Sequence, residues 1–278
     1  MNEYGNSRSA GVFSCKLDGS QRRRLTDNMS SDRDPWLMRD GRLLFSTWQR
    51  CTFDHGIAGR VRLAAINIDG TDLAAFAGEC GHRVQHMACT TPRGLVVFVE
   101  ADRVPWDGAG QLACVSLRRP LHSYRVLTTL ADGRFHSPSP LADGAVLVSH
   151  RPADGSGTLS LWRFDPTTGE RAKVFDDPAY HDMQARQLGP RPEPDGRSSV
   201  VNQADPHATL YCLDVRRSDF EHHGWLPGGG PHRLRVVAGT PRRGPAGRQP
   251  AAAERRLETL QGTRGTAAPP PETEEAPS

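Results

Sequence analysis

The sequence predicts an all-β fold, a β-propeller of four-stranded blades, on three observations. A turn closed by glycine and followed by a β-branched or aromatic run returns at Gly41, Gly94, Gly144 and Gly196, at spacings of 53, 50 and 52 residues. Between the returns lie short apolar stretches separated by Asp-Gly or Pro-Thr-Thr-Gly reversals, the chemistry that supplies positive or preset φ between strands. Only 36% of the 278 residues are hydrophobic, which a sheet protein with solvated strand faces can carry. Four strands per period of about fifty residues describe a unit that cannot bury its faces alone and must pack against copies of itself.

The chain opens out of phase, on third and fourth strands only, at residues 11–15 and 23–26. The first full repeat reads as strands at 34–38, 42–48, 62–66 and 73–76; the second as 85–89, 95–100, 112–115 and 124–127; the third as 137–141, 145–150, 159–164 and 172–175. It closes with a first strand at 184–188, a second at 200–201 and a third at 209–214. Three blades and a composite of the two ends would close a ring and protect its edges; otherwise the chain is a piece of a larger propeller. The expected organisation is a disordered N-terminus over 1–10 and a propeller over 11–220. A linker and the start of a lost or truncated C-terminal domain follow over 221–239, with one further strand at 234–237. Residues 240–278 form a disordered low-complexity tail, because Pro, Gly, Ala, Arg and Glu without apolar periodicity cannot offset the entropy of ordering.

Composition narrows the function. The formal net charge of +3 resides in residues 228–278, which hold eight arginines and five glutamates. The globular part is neutral and offers no basic face for a phosphate backbone, so nucleic acid is not an expected partner. Six scattered cysteines form no Cys-x-x-Cys pair, and Cys114 and Cys212 sit where a small apolar strand residue would serve. Residues 1–10 hold no apolar core of a signal peptide, and nowhere do about eighteen apolar residues run together. Neither export by this stretch nor membrane insertion is expected. Asn28-Met29-Ser30 fits a glycosylation acceptor, a pattern short enough to arise by chance.

Aligning the first strands on their turn glycines puts Arg33, His86 and His136 at one position, eight residues before the glycine, with Leu188 in the fourth repeat. First strands line the axis of a propeller, so Arg33, Asp34, His86, His136, His181 and Asp182 are the candidate binding group at the channel mouth. Imidazole and carboxylate together suit Zn or Fe, but polar groups at a wet mouth equally satisfy loop backbone and water. No metal, catalytic residue or cofactor is expected. The nucleophile elbow Gly-x-Ser-x-Gly, the phosphate loop and His-Glu-x-x-His are all missing, although a triad of nonlocal residues needs no such motif. Trp36, Trp48, Trp106, Trp162 and Trp225 could floor a sugar or peptide site, with core packing the default reading for Trp36, Trp48 and Trp162.

Leu17-Asp18-Gly19-Ser20, Leu25-Thr26-Asp27 and the Asp34-Pro35 to Asp40-Gly41-Arg42 phrase resemble the propeller repeats of TolB-like proteins. Residues 40–48, 136–144, Asp182-Met183-Gln184-Ala185, Pro190-Arg191-Pro192 and Cys212-Leu213-Asp214-Val215 together resemble the middle, propeller-forming region of hydrazine synthase alpha-subunit-like proteins, over residues 12–237. The resemblance implies an exported or periplasmic setting and, in the family, haem-bearing domains that flank the propeller. Covalent haem needs Cys-x-x-Cys-His, which this sequence lacks, so no family haem ligand carries over to any residue here. The expected function is a non-catalytic binding or scaffold module that takes a protein partner or small ligand at the channel mouth. The alternatives are a subunit or fragment of a periplasmic multihaem oxidoreductase and a propeller hydrolase with a nonlocal triad.

Overall fold

The computed structural model describes residues 10–28, 30–50, 55–78, 81–105, 107–196 and 204. Strands β1 (Phe13–Ser14) and β2 (Arg23–Arg24) pair with each other as a half-blade. Three blades follow. The first is β3 (Ser31–Leu37), β4 (Arg42–Gln49), β5 (Arg60–Asn67) and β6 (Ala74–Ala75). The second is β7 (Val84–Thr90), β8 (Leu95–Ala101), β9 (Gln111–Ser116) and β10 (Arg125–Val126). The third is β11 (Arg134–Pro140), β12 (Val146–Arg151), β13 (Ser160–Phe164) and β14 (Arg171–Phe175). Within each blade consecutive strands pair antiparallel, and among the described residues the only helical turn is the 3₁₀ turn Leu130–Asp132. This is a β-propeller whose sheets do not close into a ring over the described residues.

Blade packing explains the apolar runs after each turn glycine. Val96 and Phe98 of β8 join Leu44, Leu63 and Ala65 of the first blade, whereas Val97 and Val99 join Phe135, Val146 and Val148 of the third. Side chains alternate across a strand, so a strand sandwiched between two blades must be apolar on both faces. Large residues face small ones across the ladder, Phe98 opposite Ala113 and Phe45 opposite Ala64, which lets neighbouring blades approach closely. The half-blade is seated the same way, through Val12 and Leu25 against Phe45, Ala64 and Ile66.

The phased glycines close the turns between first and second strands. Gly41, Gly94 and Gly144 have φ of 81°, 80° and 89°, and their N–H groups donate to Met38, Thr91 and Leu141 carbonyls at 3.1, 3.0 and 3.1 Å. Few residues but glycine adopt that conformation without strain. Asp40 and Asp143 reinforce it by accepting from the N–H two residues on, at 3.1 and 3.0 Å.

The fourth repeat departs from expectation. Residues 184–188 form no strand, and Leu188 is 94% exposed. Instead the chain passes from the third blade to the first: Asp182 donates its N–H to Leu159 at 2.7 Å, the Arg186 guanidinium lies 5.0 Å from the Trp36 ring centroid, and Asp195 donates to the Arg39 carbonyl at 2.7 Å. Pro190, Pro192 and Pro194 lack the N–H a ladder needs, so the stretch that follows does not take up the strand either. The strands expected at 200–201, 209–214 and 234–237, the boundaries at 220 and 239 and the tail over 240–278 lie outside the described residues.

Candidate functional site

All three first strands break their ladder at the same place. Pairing slips between Arg33 and Trp36, between His86 and Cys89, and between His136 and Ser139. The extra residue is left-handed each time: Asp34 at φ 55°, Met87 at 53° and Ser137 at 44°. Such a bulge re-aims the side chains around it, and its left-handed residue costs roughly 1–2 kcal/mol that the surroundings must offset. Gln184, at φ 58°, repeats the feature. Met183 is therefore in phase with Arg33, His86 and His136, in place of the Leu188 chosen by counting back from Gly196. Counting failed because Gln184 stands twelve residues before its glycine, whereas Asp34, Met87 and Ser137 stand seven before theirs.

His86 and His136 meet against Gly108. The point where a Gly108 side chain would begin lies 3.4 Å from His86 Cε1 and 3.9 Å from His136 Cδ2, and Gly108 itself has φ 71°. The positive φ favours glycine there. Gly110 and Phe135 exchange backbone hydrogen bonds of 2.9 and 2.7 Å, which ties residues 107–110 to β11 and brings the loop against both rings. The imidazoles are 3% and 4% exposed. They are thus buried beneath this loop, where a wet channel mouth was expected, because nothing in the strand pattern marks a loop that folds inward.

Burial pushes the His86 imidazole down to about 4, against the pull of the nearby Asp34 carboxylate and with a further push from His136. His136 is also lowered by burial, opposed by Asp107 and Asp34. Both rings are therefore neutral at pH 7. The Gly108 backbone hydrogen-bonds the His86 ring, and His86 Nε2 has no partner among the described residues, which assigns the bonded nitrogen as a protonated Nδ1. Nδ1 of His136 likewise has no partner among the described residues. Asp34 accepts from Ser46 Oγ at 3.3 Å. Asp107 forms a buried ion pair with Arg151 and accepts the Ala109 N–H at 3.1 Å. His86 Nε2 and His136 Nδ1 are thus two buried ring nitrogens without a partner among the described residues, on the first strands of neighbouring blades.

The other candidates stand apart from this group. Arg33 occupies the matching position on the first blade, with Nε buried and without a partner among the described residues. The His181 and Asp182 side chains are engaged in the link into the fourth repeat: Leu159 donates its N–H to His181 Nδ1 at 2.9 Å, and Asp177 donates its N–H to Asp182 Oδ2 at 2.9 Å. Among the described residues no group of three or more His, Cys, Asp or Glu is placed to hold a metal ion. The indole N–H groups of Trp36, Trp48 and Trp162 are taken by Thr90, Ala58 and Ser160; Trp106 and Trp225 lie outside the described residues. Sequence reasoning missed Gly108, Asp107 and Ser46. The Asp107-Gly108 pair was the available signal, a turn dipeptide inside a loop.

No protein-family model matches the chain. It is 34% identical over 167 residues to hydrazine synthase subunit alpha of Kuenenia stuttgartiensis, a match that covers 58% of this chain and 20% of that protein. The solved structure of Kuenenia stuttgartiensis hydrazine synthase superposes with a TM-score of 0.51 at 33% identity, covering 59% of this chain and 22% of that one. A TolB structure from Agrobacterium tumefaciens gives a TM-score of 0.47 at 15% identity, over 60% of this chain and 57% of that chain. The chain spans about a fifth of the length of the curated relative it matches. Blades, phase and identity agree, and this protein carries a propeller similar in sequence and in fold to part of the hydrazine synthase alpha subunit.

Proposed function

We propose that this chain is a non-catalytic binding propeller that captures a small polar ligand between the first strands of its second and third blades. The observation behind this reading is the pair of buried imidazoles whose free nitrogens, His86 Nε2 and His136 Nδ1, have no partner among the described residues. Buried polar atoms in folded proteins are nearly always paired, so two together mark a place built for something else to complete. The test is a thermal-shift screen of the full chain against small amines, carboxylates, sugars and nucleotides. A saturable rise in midpoint that His86→Ala and His136→Ala each abolish supports the reading. Turnover of p-nitrophenyl acetate or of aminoacyl anilides by wild type, lost in either variant, overturns it in favour of a hydrolase.

A second reading rests on the 34% identity to hydrazine synthase subunit alpha. In it the propeller is one part of a larger oxidoreductase whose redox groups sit on other polypeptide, and the binding site serves that assembly. Isolation of the chain from its own cells, with haem absorbance that co-elutes on native chromatography, supports it; elution as an isolated chain without haem absorbance counts against it.

A further inference from the structure

We propose that a cleft on the third blade binds a neutral sugar, one pyranose ring stacked on Trp162 with its hydroxyls on the Lys173–Asp176 pair. This goes beyond the binding reading above and does not rest on it, since the cleft shares no residue with the His86 and His136 group.

The cleft measures about 370 Å³, at the lower end of the roughly 300–1,000 Å³ of small-molecule sites, and is lined by residues of β12, β13 and β14, of the loop between β12 and β13, and of the stretch after β14. Strand register builds its aromatic wall. Trp162 and Lys173 are partners across β13 and β14, and Ser160 and His150 across β13 and β12, so all four side chains rise from one face of the sheet. The Trp162 N–H donates to Ser160 Oγ at 2.8 Å, Ser160 Oγ donates in turn to the His150 carbonyl at 3.2 Å, and the His150 ring meets the indole at 5.1 Å between centroids and 71° between planes. His150 is itself pinned, its Nε2 donating to the Asp132 carbonyl at 3.0 Å. A wall held in this way is preorganised. Trp162 is only partly buried against the core between the blades, and with its N–H spent it presents carbon alone to a ligand.

The charged pair decides what chemistry fits beside that wall. Lys173 Nζ lies 2.8 Å from Asp176 Oδ2 and 5.6 Å from the Trp162 ring centroid, and the two side chains are 49% and 37% exposed, within reach of a ligand. Each charge is met by the other, so an anion drawn to Lys173 is repelled by Asp176, and a cation the reverse. Burial lowers the His150 imidazole, so no third charge stands in the cleft at pH 7. An ammonium has three N–H groups and a carboxylate about four lone-pair sites, and one bond between them exhausts neither. The pair therefore offers a donor and an acceptor side by side. A hydroxyl both donates and accepts, so adjacent hydroxyls of a sugar engage the two groups together while the C–H face of the ring covers the indole.

The experiment follows the indole Nε1–Hε1 resonance of Trp162 in the full chain, assigned by its loss in Trp162→Phe, during titration with methyl glucopyranoside, methyl galactopyranoside and N-acetylglucosamine. Lys173→Met, which takes the ammonium off the ring, gives a second assignment. Sorbitol, with the hydroxyls but no ring, is the control. Expected are a saturable shift with at least one of the three sugars, none with sorbitol, and affinity about tenfold weaker in Asp176→Ala, as for loss of one hydrogen bond to a charged group. Asp176 lies outside the strands and is partly exposed, so this variant keeps the blade. An equal response to sorbitol, an unaltered affinity in Asp176→Ala, stronger binding of benzoate or benzylammonium than of any sugar, or no saturable shift with the three sugars would each overturn the assignment. None of these results bears on the His86 and His136 site, which is read through its own variants.

Discussion

Burial, more than pairing, governs the histidines that face Gly108. His86 is lowered from its ordinary 6.5 to about 4, so the folded chain resists a proton that the unfolded chain accepts. Its contribution to stability is complete above pH 6.5 and is lost as pH falls from there towards 4, by roughly 3 kcal/mol in all. Asp34 and His136, from β3 and β11, are among the charged groups that act on it, and His136, itself lowered by burial, adds a loss of the same sign. The thermal midpoint should fall between pH 7 and pH 4.5, and His86→Gln should flatten that fall. An equal slope in the variant would mean that other groups set the acid sensitivity. The shared phase of His86 and His136 was legible from the turn glycines alone. Their burial was not, because it comes from the 107–110 loop, which the repeat pattern does not describe.

Each first strand is built around a bulge, and each second strand around two-faced burial. Gln184 holds the bulge conformation at φ 58° with an exposed side chain. Gln184→Gly should relieve its strain and stabilise the chain by about 0.5–1 kcal/mol, after the entropy that glycine costs is set against the gain. Chemical denaturation would show it as a raised midpoint with unchanged slope. Phe98 lies fully buried where the first and second blades meet. Phe98→Ala should cost about 3–5 kcal/mol, the range for emptying a large aromatic site in a packed core; a loss below about 1 kcal/mol would mean that the blades do not pack as described. The sequence located β4, β8 and β12 closely, since Leu43 to Phe45, Val96 to Val99 and Val146 to Val148 are continuous apolar runs that follow clear turns. The bulges escaped notice because Asp34, Met87, Ser137 and Gln184 share no residue type that prefers positive φ as glycine does.

For the whole molecule, attachment chemistry bears on any redox role. The sequence contains no Cys-x-x-Cys-His, and Cys89 and Cys114 are buried strand residues whose thiols burial pushes up, Cys89 to about 12. The chain co-expressed with cytochrome c maturation machinery should show no haem-stained band on a denaturing gel; a stained band would refute this. By itself the sequence determined the all-β class, the period, the blade strands and the likeness to part of the hydrazine synthase alpha subunit, because these depend on local turn chemistry and on alternation, which neighbouring residues encode. Tertiary structure alone decided which polar groups meet. His86, His136 and Asp34 come from three first strands related by the repeat, but the Gly108 loop that packs against both rings is related to them by no spacing rule. It also decided that residues 182–195 cross from the third blade to the first, since they form no strand and long-range contacts with Leu159, Trp36 and Arg39 place them.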